Sequence, residues 1–332
     1  MRFGAVPVRE AKGAILAHSE SANGVRLRKG QTLEAVHIDA LQAAGIGEVT
    51  VARLDTDELH EDGAADFLAS GIVPDPDAAQ LSLTKAFTGR VNITANGPGV
   101  VEMDVDALNA INAINPMITL ATVPPWQQVG AGNMVGTVKI ISYGVPKSDV
   151  ERACQMARSA LRLRPVKLAS ASLMITEIPG GAGEKGRDAI EKRLTALGMT
   201  LVECRVVPHQ PAPLAEALQK AKGDLVLILT GSATSDPFDV APEALREAGG
   251  SVERFGMPVD PGNLLFLGAL DGRPVIGLPG CARSPALNGA DWVLSRVACG
   301  VAVTDADIAA MGVGGLLKEI PTRPMPRERR KR

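Results

Sequence analysis

From residue 168 to residue 299 the chain alternates short apolar runs with helical patterns, and that alternation sharply limits its possible folds. Residues 168–178, 200–207, 225–229, 264–267 and 274–277 read as strands; residues 187–197, 214–221, 243–248 and 286–299 read as helices. Parallel strands need a crossover between them, and a helix supplies it, so this order predicts an α/β sheet covered on both faces. In such sheets ligands sit outside the carboxyl ends of the strands. Three loops leave strands there: residues 179–186 (PGGAGEKG), 230–239 (TGSATSDPFD) and 278–284 (LPGCARS). All three are rich in glycine or small residues. Small side chains let a ligand reach the backbone, and a following helix N-terminus favours an anion. A connecting loop that binds nothing uses the same residues, so one such loop decides little. Three on one edge point to a cleft.

Residues 1–150 read as a mixed β-rich α+β domain. Strands are expected at 13–17, 25–27, 49–52, 89–95, 118–123 and 134–142, with an Asn23-Gly24 turn signal between the first two. Helices are expected at 35–44, 57–69, 81–87 and 105–114. A connecting helix over 151–165, starting from Ser148, leads into the second domain at 166–320. Residues 321–332 (PTRPMPRERRKR) are basic and proline-rich. They read as a disordered end or a broken linker, with an RNA-binding arm as the alternative. His18, His37 and His60 share no metal-ligand spacing and read as surface or turn residues, and no metal ligands are assigned. Trp126 reads as a ring packed under its loop.

Composition excludes several classes. A formal net charge of -2 and 3% aromatic residues give no electrostatic or stacking case for nucleic acid. No apolar stretch approaches the roughly 18 residues a membrane helix needs. Cys154, Cys204, Cys281 and Cys299 form no CxxC pair, which fits a reducing cytoplasm.

Two of the loops carry a resemblance. Thr230-Gly231-Ser232 through Asp239-Val240-Ala241-Pro242-Glu243-Ala244 resembles the T-G-G-T-G…R-D-V-T-P-E-A segment of molybdopterin-binding domains. Such domains occur in molybdopterin adenylyltransferase, molybdopterin molybdotransferase and gephyrin. Leu278-Pro279-Gly280-Cys281 is similar to their L-P-G-N-P loop, and the tail resembles a linker to a fused cofactor nucleotidyltransferase domain. The resemblance implies a three-layer parallel-sheet domain that binds molybdopterin, with Mg²⁺ as an expected companion of any nucleotide chemistry. Implied cofactor-binding residues are Gly180, Gly181, Thr230, Gly231, Ser232, Thr234, Ser235, Asp239, Pro279, Gly280, Cys281, Arg283 and Ser284, with Arg283 as a phosphate fork. Asp239 and Asp236 are the implied catalytic acids. Cys281 reads as a small packed residue, although a thiolate before a helix would be favoured.

The chain departs from the pattern at Ser232, Ala233 and Thr234, at Phe238 where the family has arginine, and at His209 where it has an acid. Two carboxylates suit Mg²⁺ better than one carboxylate and a histidine, and Asp236 is the available replacement. The expectation is therefore a molybdopterin-binding protein of molybdenum cofactor biosynthesis or handling. A molybdotransferase-like or adenylyltransferase enzyme using Mg-ATP and an unrelated nucleotide-binding enzyme are the alternatives. Beyond molybdopterin or the finished cofactor, the partners allowed are a cofactor nucleotidyltransferase, a molybdoenzyme and a second copy of the chain.

Overall fold

The computed structural model describes residues 1–22 and 24–317; the basic tail at 321–332 and Asn23 lie outside the described residues. Contacts divide the chain into two compact units. One comprises Met1–Gly97, Val101–Pro125 and Ala131–Leu163, and the other Pro98–Val100, Trp126–Gly130 and the chain from Arg164 onward.

The carboxy-terminal unit is built on one six-stranded sheet. Its elements run β1 (Ser170–Glu177), α1 (Arg187–Ala196), β2 (Thr200–Pro208), α2 (Pro211–Gln219), β3 (Leu225–Leu229), α3 (Val240–Glu247), β4 (Ser251–Met257), β5 (Asn263–Leu270), β6 (Arg273–Leu278), α4 (Gly289–Ala298) and α5 (Asp305–Ala310). The strand order is β2-β1-β3-β6-β5-β4. The first four are parallel, while β5 and β4 run antiparallel at one edge. The expected parallel sheet is thus present with an antiparallel extension. Every residue of β3 is buried. Leu225, Leu227 and Leu229 join a cluster with Ile190 and Leu194 of α1 and Val293 and Leu294 of α4. Val226 and Ile228 join the other cluster, with Leu214 and Leu218 of α2 and Leu245 of α3. A strand between two helical layers has no solvent face, which is why it reads as an unbroken apolar run. Each such side chain contributes roughly 1.5–3 kcal/mol of burial.

The amino-terminal unit is mixed and β-rich. Arg2–Pro7, Glu48–Arg53 and Ile15–Leu16 form one antiparallel sheet, closed by helix Ala35–Ala43 around Leu16, Leu33, Leu41 and Val51. Ile118–Thr122, Met134–Ile140, Arg90–Ala95 and Leu81–Leu83 form a second. Helices Glu61–Ile72, Val105–Ile114 and Lys147–Met156 complete the unit.

Three expected helices are corrected. Residues 81–87 carry the strand Leu81–Leu83, which pairs with Arg90–Ala95. The helix expected at 57–69 is displaced: Glu58–His60 is a strand paired with Gly144–Pro146, and His60 caps a helix over Glu61–Ile72. The connecting helix expected over 151–165 stops at Met156. Ser159 adopts φ 59, and Leu161–Pro165 continues as a strand with Leu161 and Leu163 buried and Arg162 exposed between them. That two-residue alternation belongs to a strand. No helix among the described residues is long and apolar enough to cross a membrane.

Candidate functional site

Parallel register brings the carboxyl ends of four strands to one edge: Glu177 lies beside Pro208, Ile175 beside Leu229, and Leu229 beside Leu278. The loops that follow β1, β3 and β6 are the three that the sequence singles out, and the short turn after β2 adds His209.

The loop after β3 lies directly on the end of β1. Gly231 donates its N–H to the Thr176 hydroxyl at 2.9 Å. A Cβ on Gly231 would stand 2.7 Å from the Thr176 carbonyl oxygen, so only glycine permits the approach. The Thr176 hydroxyl also pairs with His209 Nδ1 at 2.8 Å, and the His209 N–H donates to the Glu177 carbonyl at 3.0 Å. If Nε2 carries the ring proton, Thr176 accepts from Gly231 and donates to His209. This buried threonine, which ends the apolar run of β1, was not among the expected site residues.

The rest of that loop is shaped by its two acids. Asp239 caps α3: its Oδ1 accepts from the Val240 N–H at 2.7 Å and its Oδ2 from the Ser235 N–H at 2.8 Å. Asp236 Oδ1 accepts from the Phe238 N–H at 2.8 Å. Thr230 and Thr234 are buried with their hydroxyls 3.4 Å apart, while Ser232 and Ser235 are exposed. The N–H groups of Ser232, Ala233 and Thr234 meet no acceptor among the described residues. Small exposed residues, free N–H groups and the N-terminus of α3 make an anion-receptive turn.

Arg283 ties the three loops together. It lies in the short 3-10 turn Gly280–Arg283, which Pro279 introduces. One guanidinium nitrogen donates to the Gly183 carbonyl at 3.4 Å and to the Lys185 carbonyl, and the other donates to the Thr230 carbonyl at 2.8 Å. Burial pushes its pKa down from the ordinary value, and arginine nonetheless stays charged. These N–H groups hold backbone carbonyls and so set the loop geometry, while Nε, the fifth N–H position of the expected phosphate fork, has no partner among the described residues. Gly186, at φ 105, starts α1 against this side chain, and a Cβ there would stand 2.8 Å from Arg283 Cγ.

The remaining expected residues divide between the two outer loops. Gly180, at φ 72, is exposed, and Gly181 closes a turn by donating to the Ile178 carbonyl at 2.9 Å. Pro279 is buried, Gly280 is exposed and Cys281 is half-buried. Ser284 donates its N–H to the Cys281 carbonyl at 3.0 Å. The whole segment is carried by Arg193 of α1, another residue that the sequence reading passed over. Arg193 donates to the Asp291 carboxylate at 2.5 Å and to the carbonyls of Ala282, Ser284 and Ala286.

Both Asp239 oxygens already accept backbone N–H groups, and among the described residues no three His, Cys, Asp or Glu side chains are placed to hold a metal ion.

Residues 172–298 match the family model described as a probable molybdopterin binding domain, and residues 5–53 match a domain of unknown function. No curated protein matches the chain. Among solved structures, the molybdopterin biosynthesis MoeA protein from Pyrococcus horikosii is 13% identical with a TM-score of 0.33; the match covers 90% of this chain and 75% of that one. A molybdenum cofactor biosynthesis protein from Pyrococcus furiosus is also 13% identical, with a TM-score of 0.24, over 93% of this chain and 65% of the other. At that similarity neither structure decides fold or function, and the family match rests on residues 172–298. Within the carboxy-terminal unit, residues 172–298 are thus similar to the family of probable molybdopterin binding domains.

Proposed function

We propose that this protein binds molybdopterin at the strand-end loops and serves the biosynthesis or handling of the molybdenum cofactor. The observation that carries the reading is the cradle itself. Three small-residue loops at one sheet edge are fastened to one another by Arg283, inside a domain matched to the molybdopterin-binding family. The ligand's phosphate would lie on the N–H groups of Ser232, Ala233 and Thr234 at the start of α3. Gly180, Gly181, Gly280 and Cys281 would line the flanking loops, where backbone groups can take the pterin edge. Arg283 and Asp239 act in this proposal by fixing the shape of the cradle. Asp236 is the acid left for a catalytic role, and any Mg²⁺ would arrive with nucleotide phosphates. A cytoplasmic setting, docking to a nucleotidyltransferase or molybdoenzyme, and self-association belong to the same proposal.

The test is a titration with the oxidised, fluorescent form of molybdopterin. Gly231→Ala forces the Thr230 to Asp239 loop off the end of β1, because the added carbon has no room beside Thr176. Binding should weaken at least tenfold, the scale of one lost charge-assisted hydrogen bond. Affinity equal to that of the unaltered protein would refute the placement of the phosphate.

A further inference from the structure

We propose that the amino-terminal unit carries a second binding site, for a small molecule bearing a phosphate dianion. The site is a cavity of ≈ 390 Å³ lined by Arg2, Lys12, Thr32, Arg53 and His60, with Gly13 on its wall. It lies wholly within the amino-terminal unit and is independent of the molybdopterin reading.

Topology assembles the cations. Strand Arg2–Pro7 pairs antiparallel with Glu48–Arg53 so that Arg2 stands directly opposite Arg53. Ile15 pairs with Ala52 on the other side, which brings the Lys12-Gly13 turn to the same place. Like charges directly opposite one another destabilise a sheet unless something of the other sign lies between them. No carboxylate lines the cavity.

The charges are only partly answered by the protein. Arg2 Nε stands 3.6 Å from an Asp55 oxygen. Arg53 donates one N–H to the Glu10 carbonyl, a neutral acceptor, and its Nε is buried without a partner. Lys12 is exposed and has no hydrogen bond or ion pair among the described residues. His60 Nδ1 accepts from the Asp62 N–H at 3.3 Å, which leaves the neutral ring's proton on Nε2 as a donor. Two guanidinium groups, an ammonium, an imidazole N–H and the Thr32 hydroxyl are the donor set that a tetrahedral dianion takes. The volume exceeds what a bare ion needs and falls in the range of small-ligand pockets, so the phosphate belongs to an organic ester.

The experiment is calorimetric titration of the full chain with inorganic pyrophosphate at about 0.15 M salt, where diffuse surface attraction is screened. Saturable binding is expected. Lys12→Glu should weaken it at least tenfold with no change in melting temperature, because Lys12 is exposed and holds nothing in place. Arg53→Gln should weaken it as well. Gly231→Ala should leave it unchanged, which separates this site from the strand-end loops. Absence of saturable binding overturns the proposal, as does indifference to Lys12→Glu or a loss shared equally by Gly231→Ala. Malonate, a dianion without the phosphate tetrahedron, should bind at least tenfold more weakly; equal affinity overturns the phosphate assignment.

Discussion

Two arginines fix the shape of the candidate site through hydrogen bonds to its loops. Arg283 is half-buried and fastened to three carbonyls, and Arg193 is 11% exposed and pairs with Asp291, itself 14% exposed. Burying ions costs free energy that a pair repays only with good geometry and additional hydrogen bonds. Arg193 has both, since it also serves four backbone carbonyls. Arg193→Met should therefore destabilise the protein by roughly 3–5 kcal/mol, because Asp291 is left partly buried without its counter-charge. Chemical denaturation measures this, and a loss below about 1 kcal/mol would contradict it. The sequence held a faint signal. Ala189, Ile190 and Leu194 mark the buried face of α1, and Arg193 falls on the same stripe. Its partner is 98 residues away, and no local pattern names it.

At the scale of the element, β1 is held at both ends. Thr176 closes its exit on Gly231 and His209. Asp224 closes its entry, with one oxygen accepting from the N–H groups of Ala169 and Ser170 and from the Ser170 hydroxyl. The Ser170 hydroxyl bond, joined by the backbone N–H bonds, holds the Asp224 carboxyl below its ordinary 3.8. Burial raises Glu203, but hydrogen bonds from Ser172 and Lys222 and the charge of Arg205 outweigh it, and the group also sits below its ordinary value. A carboxyl depressed in the folded state contributes stability that is complete above its unfolded pKa. That stability is lost as pH falls through the folded value. Melting temperature should thus fall as pH drops below about 4, and Asp224→Asn should flatten part of that fall. Parallel acid titration curves for the two proteins would remove Asp224 from the account.

The element scale also shows why some spans were misread. Leu81–Leu83 is three residues long and is a strand only because Arg90–Ala95 lies beside it. Strand β4, Ser251–Met257, mixes polar and apolar residues at the sheet edge and was missed altogether. Edge strands lack the double burial that makes β3 conspicuous.

For the whole molecule, the domain at 166–320 remains our proposal, and the structure adds a condition to it. The carboxy-terminal unit takes in Pro98–Val100 and Trp126–Gly130. Val166 donates to the Pro98 carbonyl at 3.2 Å, and the Arg296 guanidinium lies 5.4 Å from the centre of the Trp126 ring. Trp126 is half-buried there at φ 61, in keeping with a packed ring. A fragment beginning at Arg164 should melt cooperatively, since the sheet and both helical layers lie within it. It should melt at a lower temperature than the matching transition of the full chain, because Arg296 loses its aromatic cover. A broad, non-cooperative melt would refute independent folding, and an unchanged temperature would refute the contribution of the two inserted segments.

The elements that the sequence determined by itself are those whose evidence is local. Leu225–Leu229 is buried on both faces and shows it as an unbroken apolar run; Val105–Ile114 places Asp104 as its cap and Pro116 beyond its end. The small residues of the strand-end loops are legible for the same reason, since a backbone that must approach another chain closely excludes side chains. What tertiary structure decided is which distant groups meet. Arg283 reads as a phosphate ligand, and only the fold shows that it also fastens the carbonyls of Gly183, Lys185 and Thr230. His209 reads as an altered metal position, and only the fold shows that its Nδ1 pairs with the Thr176 hydroxyl. Arg2 and Arg53 read as unrelated surface charges until antiparallel register sets them face to face. Register depends on pairing between segments far apart in the chain, and a strand carries no local mark of which residue will stand opposite.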